Sequence, residues 1–294
     1  MRRRIYFESA TGPCLLSPEQ ARSERFSHEG LSLHTLQWGN PEHPALVLLH
    51  GGGANAHWWD HIAPFFALEH HVIALDFRGH GDSDYPEDLE VGAFNLDLEA
   101  LCHHLGKEDV MIVGHSMGAQ VALDHASRFP RTRKIVLIDP ARGAKKRTRR
   151  VARLALSLAR SYPSQAEAIE RFRFVPAAEY ALEPLRQHIA AHSVRQKPDG
   201  SWGFKFDGRW FGIPSRPAPD LSRIQCPCLV IRGQESRLLS AEAAIVLSHE
   251  ISHTQLVETR HSGHLVLIDR PGALVERIAK LNMPAGEKTA QESN

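Results

Sequence analysis

The sequence of 294 residues predicts an α/β fold in which helices cover both faces of a parallel sheet. Short apolar runs rich in β-branched residues alternate with segments of helical spacing, which is the pattern of repeated strand–helix–strand units. A serine bracketed by glycines at 114–118 stands between such a run and a helical segment. The apolar fraction of 42% and the charged fraction of 23% are typical of a globular core of this size.

The strands and helices are predicted in order from these two patterns. Strands are expected at residues 31–38, 45–49, 72–75, 110–113, 135–138, 228–231 and 254–257. Those at 45–49, 72–75, 110–113, 135–138 and 228–231 are continuous apolar runs, as in parallel strands buried on both faces, whereas 31–38 alternates like a partly exposed strand and 254–257 is expected to be the last strand. Helices are expected at 55–66, 96–105, 118–129 and 271–281, where apolar residues recur three or four positions apart.

Ser116 is predicted to lie at the tip of a sharp turn from a strand into a helix. Gly114 and Gly118 remove side chains where the two backbones must nearly touch. A serine in that position is a candidate nucleophile, and the helix that follows directs free N–H groups, including that of Met117, towards developing negative charge. An ordinary glycine-rich turn is the alternative, but the flanking strand and helix favour the nucleophile.

A glycine run at 51–53 directly follows the strand at 45–49. It lacks the lysine and hydroxyl residues of a phosphate-binding loop. We interpret it as a loop that exposes backbone N–H groups, with that of Gly52 joining Met117 in an oxyanion hole.

Two histidines, His57 and His61, lie four residues apart in the helix expected after the glycine run. The sequence suggests no third metal ligand, and we expect both histidines to be solvated.

The amino-acid composition of the chain changes at residue 142. A basic cluster at 142–153 is followed by helical segments and by a stretch rich in glycine and aromatic residues at 197–212. We predict a mainly helical cap at 142–220, inserted between two core segments at 27–141 and 221–283, with an N-terminal extension at 1–26 and a disordered tail at 284–294. The basic cluster is interpreted as a solvated helix face, with attraction of an acidic substrate as the alternative.

The charge balance, the cysteines and the apolar runs of the sequence indicate which partners and which cellular location to expect. The 35 basic residues balance 34 acidic ones, which gives no indication of nucleic-acid binding. The four cysteines are scattered, and no run approaches the roughly 18 apolar residues of a membrane span. We therefore expect a cytoplasmic protein that acts on a small molecule without a membrane or nucleic-acid partner; the sequence leaves its oligomeric state open.

Four motifs together resemble those of the α/β-hydrolase superfamily, and within it the capped serine esterase-like branch. The resemblance spans about residues 31–283 and depends on the segments at 50–52, 76–83, 114–118 and 263–264, which follow one another in the family's order. It implies an eight-stranded, mostly parallel sheet and a catalytic triad in the order nucleophile, acid, histidine.

The chemistry of a serine nucleophile requires a base and a group that orients the base. His264 is the candidate base, since it lies beside a glycine in a short loop after the last predicted strand. In much of the family the acid would stand at the position of Ser236, which carries no charge. Asp139, at the end of the strand after the serine helix, and Glu235 are the remaining candidates, and we favour Asp139.

A serine at this turn predicts acyl transfer. Ser116 would attack a carbonyl, Gly52 and Met117 would hold the oxyanion, and water activated by His264 would hydrolyse the acyl-enzyme. The expected substrate is a small carboxylic ester, lactone or thioester, and the reaction needs no cofactor or metal. A carbon–carbon bond or amide hydrolase and a non-catalytic member that binds a small molecule are the alternatives.

Overall fold

The computed structural model describes residues 21–140, 160–213 and 217–282, and the backbone of two short strands near the N-terminus. In chain order the strands are β1 (Tyr6–Ser9), β2 (Gly12–Leu15), β3 (Arg22–His28), β4 (Leu31–Trp38), β5 (Ala45–Leu49), β6 (His71–Leu75), β7 (Val110–His115), β8 (Thr132–Ile138), β9 (Val194–Gln196), β10 (Trp202–Phe204), β11 (Cys228–Gly233) and β12 (Thr254–Thr259). The helices are α1 (Ala93–His104), α2 (Met117–Arg128), α3 (Gln165–Arg171), α4 (Glu183–His192), α5 (Ala241–Glu250), α6 (Val266–Asp269) and α7 (Pro271–Asn282). Short 3₁₀ helices lie at Ala56–Trp59, Ala63–Phe66, Gly208–Gly212 and Leu221–Arg223.

Eight strands form one sheet in the spatial order β12-β11-β8-β7-β5-β6-β4-β3. Strand β4 runs antiparallel to both of its neighbours, and all other pairs are parallel. The predicted fold class is therefore confirmed. Because the carboxyl ends of parallel strands meet at one edge, the loops after β5, β7, β8 and β11 converge there.

The sheet is buried on both faces because alternate residues of its strands point to opposite sides. In β5, Leu46 and Leu48 pack in one apolar layer, and Val47 and Leu49 pack in the other. All four side chains are fully buried. This double burial fixes the register of the central strands, since a shift by one residue would exchange the two layers.

Residues 160–213, which lie between β8 and β11 in the chain, contribute no strand to the eight-stranded sheet. We call residues 160–213 the insert. It contains α3, α4 and an antiparallel β9–β10 pair, which was not predicted. The insert contacts the carboxyl edge of the sheet, where Gly81 N–H donates to Lys205 O at 2.9 Å and Asp207 N–H donates to Gly79 O at 2.8 Å.

Two sequence predictions are wrong. The helix expected at 55–66 is two 3₁₀ helices, Ala56–Trp59 and Ala63–Phe66, and Pro64 lies in the first turn of the second, where its missing N–H breaks no helical hydrogen bond. The N-terminal extension expected at 1–26 overlaps the sheet, which begins at Arg22. Strand β3 is a mostly exposed edge strand with polar side chains, so it lacks the apolar pattern of the buried strands.

Several predicted features lie outside the described residues. They are the basic cluster at 142–153, the tail at 284–294 and residues 1–5, 10–11 and 16–20 of the N-terminal extension. The boundaries of the cap at 142 and 220 stay predictions. Among the helices that the structure describes, none has the length and apolar character needed to cross a membrane.

Candidate active site

Ser116 lies on a sharp turn between β7 and α2. Its backbone has φ of 53° and ψ of −107°, a conformation that residues with a side chain rarely adopt. A Cβ atom on Gly114 would lie 2.4 Å from Gly118 O, and a Cβ atom on Gly118 would lie 2.4 Å from Leu49 O. Both glycine positions therefore require glycine and are buried, whereas Ser116 between them is partly exposed.

Asp139 and His264 are in direct contact at the carboxyl edge of the sheet. The imidazole Nδ1 of His264 donates to Asp139 Oδ1 at 2.7 Å, and both residues are buried. Asp139 also accepts hydrogen bonds from Gly233 N–H at 3.0 Å and from the Ser236 hydroxyl at 2.6 Å. These donors hold the carboxylate in one orientation and offset part of the cost of burying its charge.

Glu235, the alternative acid, lies outside this contact. Its carboxylate is exposed and accepts a hydrogen bond from the Tyr180 hydroxyl at 2.8 Å. The neighbouring Ser236 is the residue that reaches Asp139, and its oxygen accepts the N–H groups of Leu238 and Leu239, each at 3.2 Å. This contact was not predicted from the sequence, although the location of Ser236 at the family's usual acid position was a signal for it.

His115 joins the serine turn to the loop that carries His264. Its Nε2 donates to His264 O at 3.0 Å. Burial, reinforced by the nearby imidazole of His264, lowers the pKa of His115 well below 6.5, so the ring is neutral at pH 7. A Cβ atom on Gly51 would lie 2.8 Å from His115 Nδ1. One buried ring thus contacts three segments, namely the glycine loop, the serine turn and the histidine loop.

Gly52 and Met117, the predicted oxyanion donors, lie side by side. A Cβ atom on Gly52 would lie 3.8 Å from Met117 Sδ and 3.6 Å from the ring of Phe211 in the insert. Within the described residues, neither the Gly52 N–H nor the Met117 N–H donates to a backbone carbonyl. Met117 is the first residue of α2, where unpaired N–H groups and the helix dipole favour negative charge.

The charged loop at 76–83 is organised around the buried Asp76. Its carboxylate accepts Ala56 N–H at 2.6 Å, His34 Nδ1–H at 2.7 Å and Asp82 N–H at 3.0 Å. Burial opposes ionisation, but the hydrogen bond and charge of His34 outweigh it and lower the pKa of Asp76. This loop therefore supports the segment that follows the glycine loop.

The expectation that His57 and His61 are solvated is wrong. His61 is fully buried, and its Nε2 donates to Leu267 O at 2.7 Å. The side chain of His57 is 18% exposed and its Nδ1 donates to Asp60 Oδ2 at 2.9 Å. Sequence spacing alone did not reveal this burial, because α6 and the insert supply the covering residues from distant parts of the chain.

The chain belongs to the alpha/beta hydrolase family, whose model matches residues 46–277. It is 28% identical over 257 residues to esterase Rv0045c of Mycobacterium tuberculosis, covering 83% of this chain and 84% of the relative. It is 27% identical over 243 residues to the (E)-2-((N-methylformamido)methylene)succinate hydrolase of Acinetobacter baylyi, covering 81% of this chain and 89% of the relative.

A solved structure of the M. tuberculosis esterase is similar, with a TM-score of 0.72 and 25% identity, and the match covers 89% of this chain and 91% of that structure. These comparisons confirm the predicted superfamily and support hydrolase activity.

Proposed function

We propose that this protein is a serine hydrolase that cleaves a small carboxylic ester, lactone or thioester through an acyl-enzyme. The strained turn at Ser116, whose N–H donates to Ile138 O at 3.0 Å beside Asp139, and the Asp139–His264 pair carry the proposal, because a serine needs a base and the base needs an orienting carboxylate. The His115 contact to the His264 backbone supports the same grouping, since it ties the histidine loop to the residue before Ser116.

In the proposed reaction, Ser116 Oγ attacks the carbonyl carbon while Nε2 of His264 takes the hydroxyl proton. Asp139 accepts the Nδ1–H, which keeps the other nitrogen free as the base and stabilises the imidazolium once it forms. Collapse of the tetrahedral intermediate releases the alcohol, which takes the proton from His264. Water then attacks the acyl-enzyme with the help of the same base, and the carboxylic acid leaves.

The oxyanion of each tetrahedral intermediate would be bound by the N–H groups of Gly52 and Met117. The contact between the Gly52 position and the Met117 side chain and the absence of backbone acceptors for the two N–H groups within the described residues support this role. Removal of one such donor typically lowers kcat by about a hundred- to a thousandfold. Phe211 and the Met117 side chain lie against the same glycine, which favours a substrate whose acyl group is small and apolar.

An amide or carbon–carbon bond hydrolase is the second candidate, because the Acinetobacter relative is by its name a hydrolase of a formamido-methylene succinate. The same nucleophile and oxyanion donors serve both reactions, so substrate assays must separate them. We expect short p-nitrophenyl esters and simple lactones to be hydrolysed faster than matched amides and diketones. Faster turnover of the amides or diketones would replace the ester proposal with this second candidate.

The direct test of the nucleophile is labelling by a fluorophosphonate probe. Ser116 should be labelled in the wild type, and the Ser116→Ala variant should show neither labelling nor ester hydrolysis. The Ser236→Ala variant is a useful control, because it keeps the nucleophile and should still be labelled. If folded wild-type protein is not labelled, the chain is a non-catalytic member of the family and the proposal fails.

A further inference from the structure

A second group of carboxylate and imidazole side chains lies between the core and the insert. Asp60 and His57 belong to the segment after the glycine loop, and His188 and His192 belong to α4 of the insert. Asp60 Oδ2 accepts hydrogen bonds from His57 Nδ1 at 2.9 Å and from His188 Nε2 at 2.8 Å. The ring of His192 lies 4.2 Å from that of His57 and 4.4 Å from that of His188, measured between centroids.

We propose that His57, Asp60, His188 and His192 form a binding site for a divalent transition-metal ion of the Zn²⁺ type, which links the insert to the core. Imidazole nitrogens and one carboxylate are donors that such ions prefer. Ligand atoms of His57, Asp60 and His192 all lie within 4.8 Å of one another. The site is separate from the triad and shares no residue with it.

The spacing of the donors agrees with binding to a single ion. Two ligand atoms about 2.1 Å from one ion, at angles of roughly 90° to 110°, lie about 3.0 to 3.4 Å apart. The contacts of Asp60 Oδ2 to His57 and His188, at 2.9 and 2.8 Å, would each have to lengthen by only a few tenths of an ångström. When the ion binds, each of these imidazoles would coordinate through the nitrogen that now donates to Asp60, and its proton would move to the other ring nitrogen or to solvent.

His192 is already held in the protonation form that a ligand needs. Its Nδ1 donates to His188 O at 2.9 Å, so in the neutral ring Nε2 keeps its lone pair. His188 and His192 are four residues apart on α4, which places both rings on one face of the helix. The second oxygen of Asp60 is buried, and within the described part of the chain nothing donates to it. That oxygen is available as an additional donor.

The charge of the site also suits a cation. The Asp60 carboxylate supplies the negative charge, and its side chain is only 19% exposed, so a bound ion would be partly shielded from solvent. A second group of possible ligands, formed by His34, Asp76 and Asp82, is a weaker candidate, because protein donors already occupy both oxygens of Asp76.

The test is a calorimetric titration of chelator-treated, untagged full-length protein with Zn²⁺. We expect one saturable site per chain and a melting temperature that rises as the site fills. Replacing two ligands, His188→Gln with His192→Gln, should weaken binding by at least about tenfold, as loss of ligand contacts does in other metal sites. The matched control is His249→Gln, at an exposed histidine on α5, which should bind as the wild type does.

Two further variants keep the result interpretable. Asp60→Asn removes only the carboxylate charge and should also weaken Zn²⁺ binding, so the test does not depend on the double variant folding correctly. Circular dichroism of both variants without metal checks that they are folded. His264→Gln should leave the Zn²⁺ site intact. The proposal is overturned if the wild type shows no saturable binding, if the double variant binds as tightly as the wild type, or if His264→Gln abolishes binding, which would place the ion at the triad.

Discussion

Two carboxylates of this protein contact imidazole nitrogens at nearly the same distance, yet their surroundings differ. Asp139 is fully buried, and both of its oxygens accept hydrogen bonds from His264, Ser236 or Gly233 N–H. The Asp60 side chain is 19% exposed, and only one of its oxygens has donors among the described residues. A carboxylate with hydrogen bonds to both oxygens is suited to orienting a neighbouring side chain. A carboxylate with one oxygen free of donors can still bind a cation through that oxygen.

The two carboxylates also differ in where their partners come from. Gly233 ends β11, and the loop of His264 follows β12, so the partners of Asp139 lie at the same sheet edge. Asp60 instead receives His188 from a helix of the insert, 128 residues further along the chain. The geometry of the first group is fixed by the sheet, while that of the second depends on how the insert sits on the core.

The largest expected effect is on catalysis by the fully paired carboxylate. Asp139→Asn should lower kcat by about 10³- to 10⁴-fold, because the amide cannot stabilise the imidazolium and favours the wrong tautomer of the histidine. Steady-state kinetics on a p-nitrophenyl ester would measure it. Glu235→Gln is the matched control and should change kcat by less than about threefold, since Glu235 is exposed and contacts Tyr180. The reverse order of the two variants would make Glu235 the acid.

The sequence predicted the Asp139 group because its members follow strands. Ser116, Asp139 and His264 each stand at the carboxyl end of a strand or just beyond it, and parallel strands bring such positions together. The role of Ser236 was not predicted, because its uncharged side chain excluded it as an acid and its hydroxyl contact depends on the shape of one loop.

The Asp60 group could not be predicted in the same way. His57 was paired in the sequence with His61, four residues away, but 3₁₀ geometry brings residues three apart together, and His57 contacts Asp60 instead. Its remaining neighbours lie on a helix whose placement no local pattern encodes. Periodicity therefore locates residues within an element, while contacts between the insert and the core require the three-dimensional structure.

A smaller effect, on stability, is expected at the partly paired carboxylate. Asp60→Asn should lower the free energy of unfolding by about 1 to 2 kcal/mol at pH 7 with a chelator present, because two hydrogen bonds lose their charged acceptor. Urea denaturation would measure this loss. Asp88→Asn, at an exposed position, is the control and should change stability by less than about 0.5 kcal/mol. Equal stabilities of the two variants would show that the Asp60 contacts contribute nothing in solution.

Removing the Ser236 hydroxyl tests whether catalysis depends on this hydrogen bond to Asp139. Ser236→Ala should lower kcat by roughly tenfold, the equivalent of one hydrogen bond of about 1.4 kcal/mol, with KM nearly unchanged. Ser236→Thr keeps the hydroxyl and should restore much of the rate. A kcat of Ser236→Ala equal to that of the wild type would show that the hydroxyl contact to Asp139 does not contribute to catalysis.

The smallest expected effect concerns His115, the neutral ring beside the Asp139 group. Its pKa in the folded protein lies well below 6.5, so below pH 6.5 the unfolded chain binds a proton that the folded chain does not. Stability should therefore fall as the pH drops from 7.5 to 5, and His115→Gln should reduce the slope of that fall. The reduction is partial, because His50 and His80 are also buried with lowered pKa values. Urea denaturation at several pH values measures the slope, and an unchanged slope would mean that the His115 ring takes up a proton in the folded state.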